Sequence, residues 1–278
     1  DGIPEINPYG MSVTVNFDQD KYAINDVSDF MKYYSKMTSA TNSVKRYWLR
    51  QNYVLNKDLV IDTSIMEKWM PVGAEQFAFS GTFDGNGKTI TFKNVKFVNT
   101  EEKYIELVGF FGQIAPNAEV KNLTIVGFEV NYGKYTGTIA GVNYGKITDC
   151  CVKESKLNNS LSTGFFVGVN YGVVTSTKTI ETSVGEGENA ETTTSPASRV
   201  LLSTIAPYIK TNVVNKKVYA GGIAGFNFGT ISKVKLEGSS QILAEPATTK
   251  GSIRYLGGLV GYNYGTLEDC YVESGNVY

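Results

Sequence analysis

The sequence predicts an all-β chain wound as a right-handed parallel β-helix (a β-solenoid) with a short N-terminal helical cap. Three observations predict it: a motif that recurs through the second half, an apolar alternation after each copy, and a strand-and-turn composition. The chain has 278 residues, 42% of them hydrophobic, with 29 Gly, 18 Tyr and 14 Phe. Glycine at sharp bends with aromatic and β-branched residues between them is what strands and turns require. The apolar content is ample for a core and far from that of a disordered chain.

The recurring motif appears first as Gly137-Thr138-Ile139-Ala140-Gly141-Val142-Asn143-Tyr144-Gly145. Its relatives begin at Gly164, Gly221 and Gly257, and a weaker one is Gly109-Phe110-Phe111-Gly112. Counted from the apolar residue that closes each motif, positions +3 and +5 are again apolar. They read Leu123 and Ile125, Cys150 and Val152, Val234 and Leu236, Cys270 and Val272. The second copy is polar there, with Thr177 and Thr179. Period two marks a strand with one buried face. A strand–turn–strand unit cannot bury that face alone, so it must stack on copies of itself. The shortest glycine spacing, Gly141 to Gly168, suits one coil, with equivalent residues about 4.8 Å apart along the stack. Asn143, Asn170, Asn227 and Asn263 then form a column, and the Asn-aromatic-Gly segment reads as a turn that uses left-handed backbone.

Before the repeats, Met11–Phe17 alternates like a strand. Asp26 and Asp29 suit a helix start, and Val27, Phe30, Met31, Tyr34 and Met37 form a stripe at helical spacing. Residues 27–38 therefore read as an amphipathic helix covering the first coil. The expected division is 1–49 for the strand and capping helix, and 50–278 for the β-helix. Within the latter an insertion is expected at about 181–217: polar from Glu181 to Ala197, which suggests a protruding loop, and more apolar from Val200 to Ile209 with Pro207 and Tyr208, either a hairpin or one degenerate coil. Because loops on a rigid scaffold are free to specialise, this insertion is the expected place for a partner contact.

Composition excludes much chemistry. Histidine is absent, which removes the commonest general base and zinc ligand. Formal net charge is −1 and the pI is about 5.7, so nothing favours a nucleic-acid partner. No run approaches the length of a membrane-spanning helix. Cys150, Cys151 and Cys270 match no zinc spacing and are expected as free thiols, with Cys151 facing outward. Asp149 and Asp269 hold equivalent positions, but Ser176 and Lys233 intervene, so they make no acid–base pair. Asp84-Gly85-Asn86-Gly87 has Lys88 where a third calcium ligand belongs and reads as a turn. The expectation is no enzyme, no cofactor, no metal and no assignable catalytic residue. Tyr132, Tyr135, Tyr144, Tyr171, Phe228 and Tyr264 form a candidate aromatic track, either for sugar stacking or for support between coils.

The segment Gly257-Gly258-Leu259-Val260-Gly261-Tyr262-Asn263-Tyr264-Gly265-Thr266-Leu267-Glu268-Asp269-Cys270 resembles the GLUG repeat of bacterial surface proteins, also found in the non-catalytic region of immunoglobulin A peptidases. Trp69-Met70-Pro71-Val72-Gly73 and Phe79–Ile90 resemble the coils that open such arrays, and the second copy departs with Gly164-Phe165-Phe166-Val167-Gly168. The resemblance implies an extracellular or outer-surface location, the targeting segment lying outside this chain. It also implies an adhesin-like or structural role, with a host or matrix protein or a glycan as partner. It supplies no catalytic residues. The alternative expectation is a β-helix that binds or degrades polysaccharide.

Overall fold

In the computed structural model the described residues are 5–6, 12–13, 21–74, 76–97, 105–158, 160–184, 191–201, 203–206, 217–238, 240–243, 253–273 and 276–277. The repeats stack as the alternation demands. One complete coil runs through five short strands, Gly133–Gly137, Ala140–Asn143, Lys146–Thr148, Cys151–Lys153 and Lys156–Asn158. Each lies parallel to its equivalents in the coils before and after. Five parallel sheets result, here numbered I to V in coil order. Sheets I, II and V each have five strands, sheet III has eight and sheet IV has seven. The chain is a parallel β-helix.

The inward positions of each sheet form columns. In sheet III these are Tyr53, Phe83, Val120, Ile147, Val174 and Ile231, each essentially inaccessible to solvent. In sheet IV they are Ile90, Ile125, Val152, Val200 and Leu236, and in sheet V Val130, Leu157, Ile205 and Ile242. All are buried, and each such side chain contributes about 1.5–3 kcal/mol relative to leaving it in water. The Val234 and Leu236 register expected from position +3 and +5 holds, since both face the core.

The turn between sheets II and III corrects one expectation. The Asn-aromatic-Gly residues do not adopt positive φ; the left-handed positions include Asn122, Asp149, Lys233 and Asp269, at the corner between sheets III and IV. Short polar side chains tolerate that conformation best. Glycine is required in the Asn-aromatic-Gly turn for a different reason. A Cβ on Gly172 would run into the carbonyl oxygen of Gly145, and one on Gly229 into that of Gly172. The turns are stacked too closely for any side chain at that point.

The asparagines hold these turns together. The Asn143 side-chain amide donates to Asn170 Oδ1 at 2.9 Å, Asn170 to Asn227 at 2.8 Å, and Asn227 to Asn263 at 2.8 Å. Asn143 also closes its own turn, its Nδ2 donating to Gly145 O and its Oδ1 accepting from Gly145 N. Asn143, Asn170 and Asn227 are wholly buried, and satisfied buried amides of this kind cost nothing further in desolvation.

At the N-terminal end, strand Lys21–Ile24 pairs with Asn52–Leu55 in sheet III. The stretch before residue 50 is thus built into the stack. Between the two strands lie α1 (Val27–Met37) and α2 (Asn42–Trp48), the latter not anticipated from the sequence. Asp26 caps α1 by accepting from Asp29 N at 2.9 Å. Phe30, Tyr33, Tyr34 and Met37 are its buried residues, so Tyr33 joins the expected stripe while Val27 and Met31 are only partly covered. Tyr34 stacks on Trp69 at 4.6 Å and exchanges hydrogen bonds with the backbone of Met70. Of the strand expected at 11–17, only Ser12–Val13 is described, antiparallel to Glu5–Ile6; the rest lies outside the described residues.

The insertion at 181–217 divides into a hairpin in its polar half and a resumed coil in its apolar half. Thr179–Val184 and Glu191–Pro196 form an antiparallel hairpin between the sheet III and sheet IV strands of one coil. The chain then rejoins the stack at Arg199–Leu201 and Thr204–Ala206. The +3 and +5 residues of that coil are therefore Ser198 and Val200, not Thr177 and Thr179. Val200 and Ile205 belong to the core, whereas Pro207 and Tyr208 lie outside the described residues.

Candidate functional site: the inserted hairpin and its clefts

The hairpin leaves the stack at a corner prepared to hold it. Asp149, held at φ 53° in the coil beneath, accepts from Thr177 N at 2.7 Å and Lys178 N at 3.1 Å through Oδ1. Its Oδ2 accepts from the Thr177 hydroxyl at 2.6 Å. Lys178 Nζ donates to Asn122 Oδ1 at 2.7 Å, reaching one coil further down. On the returning strand Ser198 N donates to Ser176 Oγ at 2.8 Å, and the Ser198 hydroxyl donates to Thr175 O at 2.6 Å. From the coil above, Lys235 Nζ donates to Ser195 Oγ at 3.1 Å. Both feet of the hairpin are thus fastened, and charge-assisted bonds of this type are the stronger ones.

A protruding ribbon on a flat sheet creates a hollow on either side. The first has a volume of about 680 Å³. Its floor is the outer face of sheet IV, where Thr89, Thr124, Cys151 and Arg199 stand in one column and Val126, Lys153 and Leu201 in the next. Ile180 and Ala197 form its hairpin wall. The second, about 660 Å³, lies on the opposite side between Thr194–Pro196 and residues that include Lys233, Asp269 and Tyr271. The first cleft brings together Lys153, Lys178 and Arg199 against one carboxylate, Asp149, whose two oxygens are already spent on the hairpin foot. Arg199 reaches Glu237 through one guanidinium nitrogen at 3.4 Å. Its Nε is buried without a hydrogen-bond partner among the described residues.

The three cysteines are free. Cys150 is fully buried, and burial pushes its thiol up to about 12. Cys151 lies on the floor of the first cleft, its thiol also raised by burial. Neither is a thiolate at neutral pH, which is the reactive form. Asp149 and Asp269 remain three coils apart, about 14 Å by strand spacing, and Asp84 closes a turn by accepting from Asn86 N at 2.8 Å. Among the described residues no group of three or more acidic or Cys side chains could hold a metal ion.

The aromatic track divides. Tyr144, Tyr171, Phe228 and Tyr264 form one column, face to face at 4.9, 4.9 and 5.7 Å with planes within 8° of parallel. Tyr135 belongs to a sheet I column with Ser162, Tyr219 and Tyr255. Tyr132 precedes that strand. Rings stacked on one another spend their faces on each other and show solvent their edges. Tyr171 and Phe228 are stacked on both faces and support neighbouring coils, whereas Tyr264 at the end of the column is 71% exposed.

Sequence reasoning reached the hairpin but not the cleft. Lys178, Arg199 and Asn122 are far apart in the chain, and the one available signal was the polar break at Thr177 and Thr179.

Comparison with known proteins adds the repeat family. Residues 252–278 match the family model described as the GLUG motif. Comparisons with curated proteins and with solved structures find no match. The matched segment is the last coil, and its sheet II strand Val260–Asn263 stands in register with Ala224–Asn227, Val167–Asn170 and Ala140–Asn143. The GLUG motif at 252–278 is thus one coil of the stack.

Proposed function

We propose that the chain is a non-catalytic, adhesin-like binding module of a secreted or cell-surface bacterial protein, with the coils as scaffold and the inserted hairpin as contact element. The GLUG motif points to a surface or secreted repeat module, and no described helix is long and apolar enough to cross a membrane. The observation that carries the reading is the braced hairpin itself. Inward coil residues are committed to stacking, whereas the hairpin adds no strand to any coil sheet and is nonetheless anchored from coils on both sides. A neutral insertion needs no such fastening, since lengthening a loop costs only about 0.6 kcal/mol per doubling. The non-catalytic part of the reading rests on the absence of histidine and on the commitment of Asp149 to structure. Its partner is a host or matrix protein or a glycan.

Replacing residues 179–196 by a short Gly-Ser link is expected to leave the coils folded, with an unchanged far-ultraviolet spectrum, and to abolish attachment to cells or matrix. Attachment at unchanged affinity would refute the proposal. So would turnover of glycan, peptide or ester substrates that a single carboxylate substitution removes.

A further inference from the structure

We infer that the first cleft, between the hairpin and the outer face of sheet IV, binds a carboxylate-bearing oligosaccharide. This rests on the reading of the hairpin as the contact element and names the ligand class it serves.

The length and shape come from the stack. The floor crosses four successive strands, Thr89–Lys93, Thr124–Val126, Cys151–Lys153 and Arg199–Leu201, so it runs about 14 Å along the solenoid axis. Its central column, Thr89, Thr124 and Cys151, consists of small side chains, which leaves a trough between the hairpin wall and the Asn86–Gly87 turn. An extended ligand of a few rings fits that length.

The chemistry comes from what lines it. The Thr89 and Thr124 hydroxyls recur at the spacing of the strands. These groups donate and accept with ring hydroxyls. At one end of the trough stands Arg199, and Lys178 reaches along its wall with Nζ on Asn122, two coils away. Arg199 lies against the Cys151 thiol, which it hydrogen-bonds, and reaches Glu237 at 3.4 Å, which leaves others of its five N–H donors for a ligand. Lys178 donates to an amide oxygen, so its charge is not neutralised by that contact. Carboxylates on successive rings meet a cation at each of these two points, and a guanidinium suits a carboxylate in particular.

The same floor disfavours an acidic peptide. An extended peptide binds a sheet through a free strand edge, but the central floor strands are paired on both sides. Thr124–Val126 lies between Thr89–Lys93 and Cys151–Lys153, which is itself paired with Arg199–Leu201. Recognition on this face has to run through side chains, as it does for a sugar.

The experiment is calorimetric titration of the full chain with trigalacturonate, neutral galactotriose and a hexaglutamate peptide. Trigalacturonate is expected to bind at least tenfold tighter than either comparator, and more weakly as salt is raised. Arg199→Gln is expected to lower that affinity about tenfold and Lys178→Gln several-fold. Because Arg199 also contacts Glu237, each variant's melting temperature is measured, and the exposed Lys178 supplies a variant that cannot be dismissed as misfolded. Equal binding of the hexaglutamate, equal binding of galactotriose, no binding of trigalacturonate, or unchanged affinity in both variants would each overturn the inference. The Gly-Ser replacement separates the two levels: loss of cell or matrix attachment alongside any of those four results leaves the hairpin reading standing and removes only the ligand class.

Discussion

At the scale of single residues, the structure turns on which positions tolerate a change of size or charge. Val234 is fully buried in the bend before a sheet IV strand. Val234→Asp would place an unpaired carboxylate there and is expected to destabilise the chain by more than about 3 kcal/mol, read as a lowered melting temperature. Gly168 is equally constrained by backbone: a Cβ would meet Thr136 N at 2.5 Å and Gly141 O at 2.7 Å. Gly168→Ala should cost about 3 kcal/mol, whereas Gly258→Ala, whose Cβ meets only Val272 Cγ2 at 3.6 Å among the described residues, should stay within about 0.5 kcal/mol. Similar losses in both variants would show that conformational freedom, not close approach, explains these glycines. The inward residues were legible in the sequence because period two sorts faces directly. The reason for the glycines was not, since close approach belongs to the neighbouring coil and leaves no local pattern.

At the scale of elements, α1 and the hairpin carry the contrast. The Asp29 carboxyl sits below its ordinary value of 3.8, chiefly because the Asn25 backbone N–H and then its side-chain amide donate to it. A depressed folded value stabilises the helix start above pH 3.8 and is lost as pH falls through the folded value. Amide protection in α1, corrected for the intrinsic exchange rate, should therefore fall on acidification from pH 5 to below about 3.8, and Asp29→Asn should remove that part of the dependence. A pH profile unchanged in the variant would contradict the assignment. The helix announced itself through its cap and stripe, whereas α2 carries no side-chain cap bond and buries no residue fully, so it lacked both signals. The hairpin was visible as a polar interruption, but its far boundary was misplaced. Arg199-Val200-Leu201 offers one buried residue between two partly exposed ones, too short a run to reveal that the coil had resumed.

At the scale of the whole molecule, burial is graded along the stack. Inward positions are sealed through the middle coils, while in the coil 253–273 Leu267 and Val272 are 38% and 42% exposed. The two inward cysteines report this gradient. Cys150 has no accessible surface, and Cys270, in the equivalent position, is partly exposed. In the native chain a maleimide at neutral pH should modify Cys270 well before Cys150, and after denaturation without reductant all three thiols should react. Faster labelling of Cys150 would mean that the stack opens from its centre. Repeat number and register were readable from the sequence because they are properties of one coil copied. The cleft was not, because it exists only where a coil is interrupted and chain-distant residues meet across strands.

The asparagine column has a direction. Every rung donates the same way, from Asn143 toward Asn263, so the amide dipoles align and polarise one another. Reversing one amide would set two NH₂ groups face to face on one side and two carbonyls on the other. The orientation of all four is thus shared: each Nδ2 also donates to the glycine carbonyl of its own turn, and at Asn143 the Gly145 N–H claims Oδ1. The solenoid carries a vector along its axis, oxygen-first at one end and hydrogen-first at the other, and the two ends are not interchangeable.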